Sequence, residues 1–309
     1  MGALKKLQER VKRIQSKPPL NRWLNDPQLW VEAFVLVNLA FLALDIYLAH
    51  STNNFRRRTE YIPLYFSLAA PFVLLTGLLA RERFGYPAVW RDLGYLVGWL
   101  AILIGLTGVI LHLDSRFFYD NTLKSLTYAA PFAAPLSYTG LGLLLTMNRM
   151  VDAEKAEWAY WVLLLALGGF CGNFVFSLTD HAINGFFRSI EWLPVISSAF
   201  AISFLLVPFV VRVGKRFLIL CAAVLVFQAL IGVIGFLLHV AADFDGPSSR
   251  LFENIVHGAP PFAPLLFPNL VLLSSIALWE LRRHVTSDPV IPVPGTHLSG
   301  KGLRAVRSD

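Results

Sequence analysis

Long apolar runs set the pattern of this chain. Eight stretches of about 20 mostly hydrophobic residues, enough to cross a bilayer core of about 30 Å as helices, alternate with short polar segments. They lie at 29–50, 61–80, 93–113, 128–147, 158–179, 192–211, 217–239 and 259–280. Lipid cannot hydrogen-bond a backbone, so each run is predicted to be a helix. The runs are continuously apolar rather than alternating, which excludes a membrane barrel. The first run is too long for a signal-peptide core and lacks a small-x-small cleavage site, so it reads as an uncleaved span. The pattern predicts an all-α polytopic membrane protein with eight transmembrane helices.

Composition agrees. Charged residues make up 15% of the 309 and hydrophobic ones 56%, whereas soluble domains carry about 25% charged residues. Charge adds an orientation. Eight spans put both termini on one side, and that side carries 20 Lys and Arg against 7 on the other. The seven are Arg56, Arg57, Arg58, Arg116, Lys124, Arg188 and Arg250. The positive-inside rule then predicts a plasma (inner) membrane protein with both termini cytoplasmic. The net charge of +7 is mostly this topology signal and does not point to nucleic acid.

The chain divides into five segments. Residues 1–28 form a basic arm in which Leu4, Leu7, Val11 and Ile14 keep a helical apolar spacing among Lys5, Lys6, Arg10, Lys12 and Arg13. This spacing suits an amphipathic helix on the anionic inner leaflet; a solvated basic tail is the alternative. Residues 29–147 and 158–281 form two four-helix membrane units joined by the linker 148–157. Residues 282–309, rich in Pro, Gly and Ser, are expected to be disordered.

The two units repeat each other. "HSTNNFRRRTEYIP" from His50 aligns without gaps to "HAINGFFRSIEWLP" from His181, an offset of 131. "IGLTGVILH", ending at His112, returns as "IGVIGFLLH", ending at His239, and "AAPFAAPL" at 129–136 as "GAPPFAPL" at 258–265. Four spans is an even number, so a tandem duplication gives a parallel pair of four-helix repeats related by an axis along the membrane normal.

Every odd-numbered span thus ends in a histidine on the predicted external side: His50, His112, His181 and His239. Two readings stay open. A histidine at a helix C-terminus caps free carbonyls and meets a partial negative charge. Alternatively His112, His239, His50 and His181 ligate a metal or haem, imidazole being the most versatile ligand for both. Gly105 and Gly108 stand one and two turns below His112, and Gly232 and Gly235 do so below His239, on one helix face. Such strips either floor a planar cofactor or let a neighbouring helix approach closely. Asp45, Asp114, Asp180 and Asp243 lie near the histidines, which suits non-haem iron, zinc or manganese, or carboxylates that orient the imidazoles ligating a haem b. Cys171 and Cys221 fall inside apolar spans and read as packing residues. Arg57 with Glu60 and Arg188 with Glu191 are duplicated loop charges. They suit either a solvated ion pair or a docking surface for a periplasmic or extracellular protein.

The function expected on this basis is that of a membrane subunit for electron transfer, with external histidines holding haem or a non-haem metal and a quinone as a further candidate ligand. A non-catalytic scaffold in a larger membrane complex and a small-molecule transporter are the alternatives. The spans carry no charged residue in their middle thirds, which argues against an ion-coupled carrier.

Overall fold

The computed structural model describes residues 25–84 and 88–285. Nearly all of the basic arm and of the C-terminal tail lies outside the described residues. Within them there is no strand, and seven helices are long and apolar enough to cross a membrane.

Four helices make up the first half: α1 (Pro27–Ser51), α2 (Tyr61–Phe84), α3 (Ala88–Leu113) and α4 (Leu136–Met150). Four make up the second: α5 (Ala156–Ile183), α6 (Trp192–Val210), α7 (Lys215–Phe244) and α8 (Leu266–His284). α1 starts sharply because Asp26 accepts from the amides of Gln28 and Leu29 at 3.1 and 3.3 Å, and Pro27 occupies the first turn, where its missing N–H costs nothing.

α4 departs from the expected span. The apolar run 128–147 is helical only from Leu136, after a short helix Leu123–Thr127 and a turn. Its 15 residues extend about 22 Å, short of a full crossing. Proline explains the late start, because Pro131 and Pro135 lack the N–H that a helix interior needs and clash with the preceding turn. The last run, 259–280, behaves likewise and forms regular helix from Leu266 to His284 after a 3-10 turn at Ala263–Leu265.

Within the first half α1 packs on α2, α2 on α3, α3 on α4 and α4 on α1. The second half closes through the same sequence of neighbours from α5 to α8. The buried positions also keep a register. Val31, Val35, Leu39 and Ile46 of α1 are buried, as are Val162, Ala166, Phe170 and Ser177 of α5, each 131 residues on. Gly94, Gly98, Ala101 and Gly105 of α3 match Cys221, Leu225, Gln228 and Gly232 of α7, each 127 on. The halves meet where α4 packs on α5 and α8 on α1. At the α1–α8 seam the side-chain amides of Asn38 and Asn269 hydrogen-bond each other.

All four site histidines gather at one end of the bundle. The opposite end is tied by polar side chains: Gln28 Nε2 donates to the Asn148 carbonyl at 2.9 Å, and Trp158 Nε1 donates to Asn148 Oδ1 at 3.0 Å.

Candidate functional site

The loop after each first helix shapes the histidine end. Past His50 the chain turns through two left-handed residues, Asn54 (φ 56°) and Phe55 (φ 51°); past His181 it does so through Gly185 (φ 72°) and Phe186 (φ 53°). Glycine and asparagine adopt this region readily, but a phenylalanine there is strained. The amides of Phe55 and Phe186 donate to the His50 and His181 carbonyls at 3.0 and 3.2 Å, closing the helix ends. The turn folds each phenylalanine back beside its histidine, at 5.7 and 6.1 Å between ring centroids. Each also stacks on the aromatic that opens the next helix: Phe55 on Tyr61, Phe186 on Trp192.

Glu60 and Glu191 face the histidines. His50 Nδ1 lies 3.3 Å from Glu60 Oε2, and His181 Nδ1 lies 3.9 Å from Glu191 Oε2. Glu60 Oε1 also accepts from the Arg57 backbone amide at 3.3 Å.

His112 Nδ1 bonds the Pro131 carbonyl at 2.9 Å, and His239 Nδ1 bonds the Pro260 carbonyl at 2.8 Å. A carbonyl oxygen only accepts, so Nδ1 carries the proton and Nε2 of the neutral ring keeps a lone pair. These carbonyls belong to the loops entering α4 and α8, where prolines leave backbone acceptors without helical partners.

The structure pairs His50 with His112 and His181 with His239, at 6.2 and 6.4 Å between centroids with nearly perpendicular rings. It does not bring His112 and His239 to one shared site. Nor do the glycine strips form open floors. A Cβ on Gly105 would stand 2.8 Å from the Pro135 carbonyl oxygen, and one on Gly108 would stand 2.8 Å from Pro135 Cβ. For Gly232 and Gly235 the corresponding atoms are the Pro264 carbonyl oxygen at 2.7 Å and Pro264 Cβ at 3.0 Å. The strips are filled by the first turns of the neighbouring helices, Pro135 and Thr139 in the first half and Pro264, Phe267 and Pro268 in the second, so Gly105, Gly108, Gly232 and Gly235 serve close helix approach. A planar cofactor has no room on them. Among the described residues no group of three or more His, Cys, Asp or Glu side chains is placed to hold a metal.

The second half adds a cavity of about 550 Å³. His181, His239 and His257 line it together with Asp180, Arg188 and Glu191, over an apolar wall that includes Phe176, Ile231 and Phe267. Asp180 is therefore drawn to the site. Asp243 is instead buried, 2% exposed, with its Oδ1 within 2.6 Å of where a Cβ on Gly258 would lie. Asp45 has its counterpart in Phe176, 131 residues on, and Asp114 sits where α3 ends.

The equivalent region of the first half is built differently. The Tyr138 hydroxyl donates to the Pro63 carbonyl at 2.9 Å and meets Ser67 Oγ, while its ring packs on Phe66 at 5.9 Å. Phe267 and Ser197 occupy these two positions in the second half. Replacing Phe66 by serine and removing the Tyr138 hydroxyl takes away the bulk and the tether that close the first half. This exchange was present in the aligned repeats, but only the partner positions show its consequence.

The opposite end holds a further feature that sequence reasoning missed. Glu32 Oε2 and Arg149 Nη2 form a 2.8 Å ion pair with both side chains over 90% buried. Arg149 Nη1 also donates to the Arg91 carbonyl at 3.0 Å. The partners are 117 residues apart, and no local pattern marks them.

Fold and site together define an all-helical, multi-pass membrane protein with paired histidines at one end and a cavity beside one of the pairs. No protein-family model, curated protein or solved structure matches the chain.

Proposed function

We propose that this is an eight-helix inner-membrane protein of two parallel four-helix repeats with cytoplasmic termini. In this reading its second half binds a small amphipathic molecule on the external side. The matching helix neighbours and buried registers of the two halves support the repeat, and the 20-to-7 distribution of Lys and Arg supports the orientation.

One observation carries the binding function: the roughly 550 Å³ cavity joins an apolar wall to His181, His239, Asp180 and Glu191. Cavities of about 300–1,000 Å³ with a few convergent polar groups are the usual form of small-molecule sites. The polar side offers the Asp180 and Glu191 carboxylate oxygens as acceptors, beside the imidazoles and Arg188. It suits a ligand whose head group donates hydrogen bonds from hydroxyls, as a quinol does, with an apolar body against Phe176 and Phe267. Such a ligand connects the site to electron transfer in a membrane. The test is saturable stabilisation of the purified protein by a short-chain benzoquinol. Ile234→Trp, which fills the cavity without altering a histidine, is expected to abolish the effect. A full set of hydroxylated amphiphiles producing no shift would sink the reading.

A second reading, a metal or haem held by the histidines themselves, is favoured by one feature. Each Nδ1 is anchored on a carbonyl or faces a carboxylate, as the outer nitrogen of a ligating imidazole usually is. The filled glycine strips and the absence of a third described ligand weigh against it. Metal analysis and a visible spectrum of protein made in haem- and iron-replete cells decide it.

A further inference from the structure

The interior below the cavity differs in kind between the halves. In the second half Ser177, Asn173, Ser197, Gln228 and Ser274 are all buried. Their first-half equivalents, at offsets of 131, 127 and 129, are Ile46, Leu42, Phe66, Ala101 and Leu145. Five polar side chains of one bundle interior thus replace five apolar ones of the other.

Several of these polar atoms lack a partner. Gln228, fully buried, donates from Nε2 to the Ser197 carbonyl at 2.7 Å, yet its Oε1 is unpartnered among the described residues. Asn173 Nδ2 and Ser274 Oγ are buried and unpartnered as well. Leaving such a group dry costs about 1–3 kcal/mol. Buried polar groups of this kind are normally satisfied by ordered water when a cavity reaches them.

A cavity does reach this region. Ser177, Ile231 and Phe267 belong to its wall. Asn173 lies one turn below Ser177, Gln228 lies one turn below Ile231, and Ser274 lies two turns beyond Phe267. Asn173 is about 12 Å along the helix from His181, and Gln228 about 16 Å from His239. These depths approach the middle of a hydrocarbon core about 30 Å thick.

We propose that water enters through the histidine cavity and continues down a polar track to Asn173, Gln228 and Ser274. The second half is then hydrated to about mid-membrane while the first half is dry. The track is uncharged, built of amides and hydroxyls, so it carries water or another small neutral hydrogen-bonding solute and holds no fixed charge for an ion. The proposal does not depend on what the cavity binds, and its test needs no ligand.

The test is thiol accessibility in lipid nanodiscs, which expose both faces and so make orientation irrelevant. With Cys171 and Cys221 replaced by alanine, Ser274→Cys and its first-half counterpart Leu145→Cys are exposed to a small, polar, uncharged reagent, hydroxyethyl methanethiosulfonate. Ser274→Cys is expected to react at least ten-fold faster, and adding Ile234→Trp to slow it at least five-fold by blocking the entrance. Ser197→Cys against Phe66→Cys gives a second pair, so poor accumulation of one variant leaves the test intact. Complete labelling in dodecyl sulfate confirms that every thiol is present. Equal rates for both members of each pair would overturn the track, and a rate unaffected by Ile234→Trp would overturn entry through the cavity.

Discussion

The two halves spend their buried polarity in opposite places. In the first half it is concentrated at the end away from the histidines, in the Glu32–Arg149 pair. The same positions in the second half, 131 and 129 residues on, are Leu163 and Leu278, both buried. In the second half, besides Glu280 at the far end, Asn173, Gln228 and Ser274 are buried below the histidines, where they replace Leu42, Ala101 and Leu145. In the ion pair Glu32 Oε2 meets Arg149 Nη2, and Arg149 Nη1 donates to the Arg91 carbonyl, which is the mark of a tie. Below the second half's histidines, Asn173 Nδ2, Gln228 Oε1 and Ser274 Oγ are unmatched among the described residues, which leaves them open to a further hydrogen-bonding partner.

The sharpest way to break this comparison is to give the first half the second half's residues. Glu32→Leu or Arg149→Leu alone leaves a buried charge uncompensated and is expected to cost about 3–5 kcal/mol. The double change Glu32→Leu with Arg149→Leu recreates the Leu163 and Leu278 arrangement when Gly94→Cys is added, because the Arg149 guanidinium fills the space beside Gly94 that Cys221 fills in the second half. It is expected to lie close to the unmutated protein, because apolar pairs commonly replace buried ion pairs at no loss. Unfolding in mixed micelles measures all three. A combined variant as unstable as the singles would show that the pair is more than a local tie.

The glycines test what the halves share. Gly105→Ala places a methyl against Thr139 and the Pro135 carbonyl, and Gly232→Ala places one against Pro268 and the Pro264 carbonyl. Each is expected to cost about 1–3 kcal/mol by overpacking, with the two values close to each other. Loss of a bound cofactor with stability unchanged would instead restore the glycines as a cofactor floor.

Next comes the residue that closes one half and opens the other. Tyr138→Phe removes the hydroxyl that bonds the Pro63 carbonyl and is expected to cost about 1 kcal/mol. Phe267→Tyr, the reverse change, places a hydroxyl toward Pro194 and Ser198. It is expected to weaken quinol-analogue binding while stability moves by less than about 1 kcal/mol. Unchanged binding in Phe267→Tyr would separate the cavity from the contrast drawn here.

How much of this the sequence displayed follows from the range of each interaction. Apolar run length and Lys/Arg placement revealed helical spans because both report on the bilayer, the same solvent everywhere along the chain. The doubled "G-x-x-G-x-x-x-H" revealed equivalent positions but not their use. The atoms that fill the glycine strips come from Pro135 and Thr139 and from Pro264 to Pro268, some 30 residues downstream of each strip. Only folding shows that the doubled "APxxAP" is the other surface of the same contact. The span at 128–147 was misjudged because apolar composition does not reveal where prolines deny a helix its amides. Histidine pairing within each half, rather than between His112 and His239, depends on which helices lie across a bundle from one another. No single run of sequence encodes that arrangement.

The smallest effect isolates backbone from packing in the loops that place the histidines. Asn54 and Gly185 hold equivalent left-handed positions, with φ of 56° and 72°. A Cβ on Gly185 would meet nothing within 4 Å, so any cost of Gly185→Ala arises from the backbone alone and is expected near 1 kcal/mol. Gly185→Asn should recover most of that loss, because asparagine tolerates this conformation. Asn54→Gly should shift stability by no more than about 0.5 kcal/mol, its easier turn being offset by a freer unfolded chain. Thermal unfolding of the three variants checks the order Asn54→Gly, Gly185→Asn, Gly185→Ala from most to least stable. If Gly185→Ala proves neutral, the turn relaxes without strain. Phe186, which follows at φ 53°, is then not held in place beside His181 by that backbone, and the matching geometry of the two loops must come from the stacking of Phe55 on Tyr61 and Phe186 on Trp192.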